Sequence, residues 1–258
     1  MKANHYDDFA ENYSAENESS LLNAYYERPA MIGLAGDVDG HRVLDAGCGS
    51  GPLSAALSAK GAIMTGFDSS PAMLELARRR LGATADLCVA DLSKPLPFAD
   101  GSFDDVVSSL VLHYLEDWSA PLAELRRVLK PGGRLILSVN HPTVSVVTQA
   151  TEDYFAIRQY SEDYVFDGEP AVLTFWHRPL HAMISAFTSA GFHLAAVSEP
   201  EPSPDAPHEL LPPRILNGER TAFLSFIFFV LEANKAGTRT DMPVSADEEL
   251  AQWVVGRR

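Results

Sequence analysis

Three short stretches bring glycines and carboxylates together in a way that suits a small, charged ligand. The first is Val43-Leu44-Asp45-Ala46-Gly47-Cys48-Gly49-Ser50-Gly51. Its glycines let the chain turn sharply and approach a ligand closely. A helix starting just beyond would aim free N–H groups at whatever sits there. The spacing is Asp-x-Gly-x-Gly-x-Gly. A dinucleotide fingerprint needs G-x-G-x-x-G, and Pro52 or Ser54 stands where its last glycine would be. The second stretch ends in Asp68, about 20 residues on, where an acid can accept hydrogen bonds from both ribose hydroxyls of a nucleoside. The third is Val89-Ala90-Asp91-Leu92. Asp91 can accept from an exocyclic amine such as that of adenine, and Leu92 can pack on the ring. Taken singly, these are a strand-to-helix turn, a capping acid and a turn aspartate. Together they describe a pocket for an adenosine with a charged tail and no diphosphate.

Two histidines stand where a proton would have to be moved. His113 lies in Leu110-Val111-Leu112-His113-Tyr114, just after an expected fourth strand, and His141 in Val139-Asn140-His141-Pro142, just after a fifth. Imidazole suits general-base work near neutral pH; a capping or packing role is the plainer reading of each. His177 can line a pocket or start a helix. No histidines and carboxylates pair at metal-ligand spacing, so no metal is expected. The segment 140–178 carries Tyr154, Phe155, Tyr160, Tyr164, Phe166, Phe175 and Trp176. Such a density suits a cap over an apolar or aromatic acceptor, or equally a satellite core. Its acids, Glu152, Asp153, Glu162, Asp163 and Asp167, fit a cationic acceptor or a solvated face.

These residues need a frame. Residues 1–40 read as a polar, helical cover with aromatics Tyr6, Phe9, Tyr13, Tyr25 and Tyr26. Short apolar strands follow at 43–46, 62–67, 86–90, 103–109 and 134–139. Helices are expected from Pro52, where proline's missing N–H costs nothing, from Pro71 after a Ser69 or Ser70 cap, and from a Ser119 cap up to Pro131-Gly132-Gly133. A helix ending at Gly191 precedes late strands at 194–197 and 223–231. Strands alternating with helices imply a doubly wound, mostly parallel sheet. Ligands in such sheets sit at the carboxyl ends of the strands, where the glycine loop, Asp68 and Asp91 all fall. The expected division is a cover at 1–40, the main domain at 41–235 with 140–178 inserted as a cap, and a tail at 236–258.

Composition narrows the partners. The 258 residues carry a net charge of −15, and a diffuse negative field disfavours nucleic acid and anionic membranes. Cys48 and Cys88 are too few for a disulfide framework. The polar, acidic start is unlike a signal peptide, and the longest apolar run, near 223–231, is too short to span a bilayer. A cytoplasmic chain, monomer or homodimer, acting without nucleic acid or membrane, is expected.

The ordered blocks VLDAGCGSG, GFDSSPAMLELAR, VADLSKPLPFADGSFDDVVSSLVLHYL and LRRVLKPGGRLILSV, over roughly residues 40–140, resemble the class I, Rossmann-like S-adenosylmethionine-dependent methyltransferases, in their small-molecule branch. The resemblance implies a seven-stranded sheet with its last strand antiparallel. It implies S-adenosyl-L-methionine as cofactor, with Gly47, Gly49 and Gly51 near its methionine part, Asp68 on the ribose and Asp91 at the adenine. Wall contacts would come from Ser109 and Leu110, and Tyr13 would close over the top. Asp45, Cys48, Ser69, Met73, Ala90 and Leu92 complete the expected cofactor set. Methyl transfer to a small-molecule acceptor on oxygen, nitrogen or carbon is the implied activity. The alternative is a cofactor-binding module without transfer. A nicotinamide oxidoreductase is disfavoured by the glycine spacing, and a nucleic-acid enzyme by the charge and by SSLVLHYL where an Asn-Pro-Pro-Tyr-type motif would stand.

Overall fold

The computed structural model describes residues 7, 9–144, 147, 153–166, 168–222 and 224–234. The expected C-terminal tail, and Tyr6, Glu152, Asp167 and Phe223, lie outside them. The chain opens with α1 (Ala10–Ser19), a π-helical turn (Asn23–Glu27) and α2 (Arg28–Ala35). Then β1 (Arg42–Ala46), α3 (Pro52–Ser58), β2 (Ile63–Asp68), α4 (Pro71–Leu81), β3 (Asp86–Val89) and β4 (Phe103–Ser109) alternate. A short 3-10 turn (Leu112–Tyr114), α5 (Ser119–Val128) and β5 (Leu129–Asn140) follow. After the hairpin β6 (Arg158–Phe166) and β7 (Glu169–His177) come α6 (Leu180–Ser189), β8 (Phe192–Ser198), α7 (Pro213–Leu216) and β9 (Phe226–Ala233).

The main sheet has seven strands in the order β3-β2-β1-β4-β5-β9-β8. β9 runs antiparallel to both neighbours and the other pairs are parallel. The order reverses between β1 and β4, so a crevice opens at their carboxyl ends.

Alternation along the central strands sorts the core into two layers. Leu135, Leu137 and Val139 of β5 and Ile227, Phe229 and Leu231 of β9 pack with Leu122, Leu125 and Phe187 of α5 and α6. Ile136 and Phe228 point the other way, onto Met31, Leu53 and Leu57 of α2 and α3. A period of two on a sheet covered on both faces gives near-continuous apolar strands.

Three local expectations are corrected. The α5 cap is not Ser119, which lies inside the helix; the carboxylate of Asp117 instead accepts from its amide and hydroxyl. β5 begins at Leu129, because Lys130-Pro131-Gly132-Gly133 continues as an extended lead-in beside β4. The inserted segment 140–178 contains a second, separate two-stranded sheet, with Arg158 opposite His177 and Phe166 opposite Glu169. Its residues Tyr160, Tyr164 and Phe166 carry the strand period, interrupted by acids that hide it.

At the amino end of the sheet, Asp105 is only 2% exposed and is held by two hydrogen bonds from Arg134, at 2.7 and 2.8 Å. His41 Nδ1 lies 2.8 Å from the same carboxylate. Removing one partner of a buried pair leaves an uncompensated charge. Arg134→Ala is expected to cost about 3 kcal/mol in urea unfolding; a loss below about 1 kcal/mol, the ordinary value of an exposed pair, would contradict this reading.

Candidate active site

A cavity of about 270 Å³ opens at the carboxyl ends of β1, β2 and β4, near the lower end of ligand-sized clefts. Gly47, Gly49, Phe67, Asp68 and Ser69 form one wall, and Met73, Ala90, Asp91 and Leu92 another. Ser109, Leu110, Val111, Tyr114 and Leu115 form a third, with Tyr13 on the cover side. Eleven of the fourteen expected cofactor residues thus stand on one surface. Asp45, Cys48 and Gly51 do not; they lie behind it and shape the loop.

Backbone sterics explain the loop. Gly47, Gly49 and Gly51 have φ of 82°, 54° and 77°, a region that side chains rarely tolerate. A β carbon on Gly47 would sit 2.5 Å from Val111 Cγ2, whereas one on Gly49 would meet nothing within 4 Å. One glycine therefore lets two walls touch, and the other leaves the backbone open to a ligand.

Asp68 anchors this loop. Its carboxylate accepts from the Gly49 amide at 2.9 Å and from the Ser70 amide at 2.9 Å. Burial raises its pKa, and these amide donors oppose the rise. The Ser69 amide also bonds to this carboxylate, which offers about four acceptor positions. Ser70, not Ser69, caps α4, its hydroxyl accepting from Met73 N–H at 3.1 Å. Asp91 is a turn aspartate as well as a wall residue: Ser93 donates twice to one oxygen, and Lys94 lies 3.4 Å from the other. Burial would raise its pKa, but the Ser93 and Lys94 donors outweigh that and lower it.

Leu110 is the one described non-glycine residue with positive φ, at 56°. Such a conformation costs of order 1–3 kcal/mol. Its amide is held by the Ser138 carbonyl at 3.1 Å and the Ser138 hydroxyl at 3.0 Å. The cover reaches the loop directly, Ser14 donating to Ser50 Oγ at 2.9 Å, and Arg80 of α4 donates to the Ser50 carbonyl at 2.8 Å.

The two histidines stand apart from the cavity wall. His113 Nδ1 accepts from the Asn140 amide at 3.0 Å, so the neutral ring carries its proton on Nε2. That nitrogen is buried with no partner among the described residues, and burial lowers the pKa to about 3. His141 is buried between Glu199, 2.6 Å from Nε2, and Thr143, 2.7 Å from Nδ1. His177 Nε2 donates to the Tyr154 carbonyl at 2.7 Å.

The hairpin aromatics pack on one another. Phe9 stacks on Phe166, Tyr13 meets it edge-on, and Tyr114 stacks on Phe175. They form a satellite core, and Tyr13 and Tyr114 belong to both that core and the cavity wall. Phe155 stays 71% exposed, outside it. Phe67, Val111, Tyr114 and Leu115 were not expected as wall residues; the apolar run after β4 held the only signal for the last three. Among the described residues, no three His, Cys, Asp or Glu side chains gather as metal ligands, and no helix is long and apolar enough to cross a membrane.

Asp45 is 1% exposed; Oδ2 accepts from Ser54 at 2.6 Å and Oδ1 has no partner among the described residues. Burial pushes its pKa up to about 7. A raised pKa means the folded protein holds a proton that the unfolded chain releases. Its stability contribution is therefore complete below the ordinary aspartate range and is lost as pH rises toward 7. Asp45→Asn cannot ionise, so its melting temperature relative to the wild type is expected to climb between pH 5 and pH 8. A constant difference across that window would rule out a titrating Asp45.

Residues 44–137 match the family model of the methyltransferase domain. A demethylmenaquinone methyltransferase of Tropheryma whipplei is 36% identical over 127 residues, 48% of this chain and 52% of the relative. A ubiquinone/menaquinone biosynthesis C-methyltransferase of Desulfotalea psychrophila is 39% identical over 132 residues, 50% of this chain and 53% of the relative. The chain thus spans about half the length of the curated relatives it matches. A solved S-adenosylmethionine-dependent methyltransferase of Mesorhizobium loti shares the fold with a TM-score of 0.59 at 24% identity, over 79% of this chain and 96% of its own. The glycine loop, the strand-end acids and the reversed strand order all fall within or beside residues 44–137, the segment that matches the methyltransferase domain.

Proposed function

We propose that this chain transfers the methyl group of S-adenosylmethionine to a small aromatic acceptor by in-line displacement. The observation that carries the reading is one continuous cavity running from the open backbone of Gly49 and the carboxylate of Asp68 to the rings of Tyr13 and Tyr114. The residues fit the cofactor. Asp68 has acceptor capacity for ribose hydroxyls beside its bonds to the Gly49, Ser69 and Ser70 amides. Asp91, Leu92 and Met73 offer an acceptor and apolar surface for adenine, and Gly47 and Gly49 leave room for the methionine part.

When bound, the cofactor supplies an electrophilic methyl carbon on a sulfonium. The protein's work is then alignment and exclusion of water. Tyr13 and Tyr114 frame the side from which an acceptor approaches, and α1 roofs the loop through Ser14 and Ser50. A general base must come within hydrogen-bond reach of the proton it takes. His113 and His141, the expected bases, are read instead as holding the sheet edge, since their nitrogens face Asn140, Glu199 and Thr143. The cavity wall carries tyrosines and carboxylates, which suits an acceptor that ionises itself, such as a hydroxylated aromatic ring. The names of the quinone-modifying relatives support the same class.

Calorimetric titration tests the cofactor, and incubation with radiolabelled S-adenosylmethionine and a panel of phenols and quinols tests the acceptor. Micromolar binding with no label transferred to any of them would favour a binding module. Asp68→Ala is expected to weaken cofactor binding by about 1.5–3 kcal/mol for each ribose hydrogen bond lost; unchanged affinity would sink the ribose assignment.

A further inference from the structure

Glu27 is a buried acid that the proposed chemistry does not use. It closes the π-helical turn before α2 and is 4% exposed. The adjacent Arg28 turns away from it, donating to the Asn17 side chain at 2.6 Å and lying 3.5 Å from Glu18. A carboxylate buried without a counter-ion is costly unless hydrogen bonds replace the lost water. Burial accordingly raises the Glu27 pKa, which two serine hydroxyls and the charge of Arg28 only partly offset.

Those hydroxyls belong to Ser109, at 2.7 Å, and Ser138, at 2.6 Å, and both donate to the same oxygen, Oε1. Ser109 lines the cavity. Ser138 stands opposite it in register, and its hydroxyl oxygen also accepts from the Leu110 amide. A chain of bonds therefore runs from the Leu110 amide through Ser138 to Glu27 and back through Ser109. It ends on the residue with the strained backbone, whose side chain forms part of the wall. A strained turn persists only where its surroundings over-determine it.

We propose that Glu27 is a positioning residue: through Ser138 and Ser109 it holds Leu110 in the conformation that shapes the cofactor cavity. The proposal rests on the reading of that cavity as the S-adenosylmethionine site. Glu27 acts as a hydrogen-bond acceptor in this role, so a neutral carbonyl of the same reach replaces it.

The test compares Glu27→Ala, Glu27→Gln, Ser138→Ala and Met31→Ala with the wild type. Dissociation constants for S-adenosylmethionine and S-adenosylhomocysteine are measured by calorimetry, well below each variant's melting temperature. Glu27→Ala is expected to bind both about tenfold more weakly, and Glu27→Gln to stay within about twofold of the wild type. Met31, fully buried on α2, reports stability alone: its truncation lowers the melting temperature and leaves affinity unchanged. Unchanged affinity in Glu27→Ala overturns the proposal, as does equal weakening in Met31→Ala. Glu27→Gln as weak as Glu27→Ala assigns the effect to charge and likewise overturns it. Should Glu27→Ala fail to fold, Ser138→Ala decides alone: weakening supports the positioning role and wild-type affinity rejects it. A wild type that binds neither ligand defeats the cofactor reading itself, a result separable from all of these.

Discussion

The site depends on a close approach at Gly47. The glycine loop after β1 and the turn after β4 come so near that Val111 occupies the space a β carbon would need. Neither wall is rigid alone. The loop is tied back by the Asp68 carboxylate, and the turn by Ser138 and, through it, Glu27. A left-handed glycine on one side and a left-handed leucine on the other let the Val111 side chain pack against the bare backbone of Gly47. The cavity is the space left beyond that contact. Its outline therefore follows from sterics at a few positions rather than from the bulk of the core.

The sheet supplies the precision. Alternation along β5 and β9 divides their side chains between two apolar layers, and a slip of one residue would exchange them. Ser109 and Ser138 are the polar members of that alternation near the carboxyl edge, and both turn toward the layer covered by α2. A hydroxyl in such a layer needs a partner. Glu27 provides it for both, which couples the N-terminal cover to the central strands through hydrogen bonds as well as packing.

The frame and most of the residues that line the cavity were legible in the sequence, because glycine spacing, strand-end acids and proline-led helices are local signals with local causes. The β1 to β4 strands followed from them, whereas the seven-stranded sheet with its antiparallel last strand came from the family resemblance. The hairpin β6–β7 was not legible: Glu162 interrupts its apolar face between Tyr160 and Tyr164, and its partner contacts lie on α1 and the turn after β4. The surroundings of the two histidines were not legible for a related reason. A position just past a strand end points toward the crevice or away from it depending on the turn, and the turns at Leu110 and Pro142 send His113 and His141 to Asn140 and Glu199. Glu27 lay in a helical region with no pattern to mark it, because its two serine partners are far away in sequence.

Among the described residues the hairpin shares no backbone hydrogen bonds with the main sheet; it is held by aromatic packing on Phe9, Tyr13 and Tyr114. Ring-to-ring contact is tolerant of exchange among residues of similar size, whereas a hydrogen-bonded ladder is not. The hairpin flank of the cavity can therefore be repacked without disturbing the glycine loop and the strand-end acids on the opposite side.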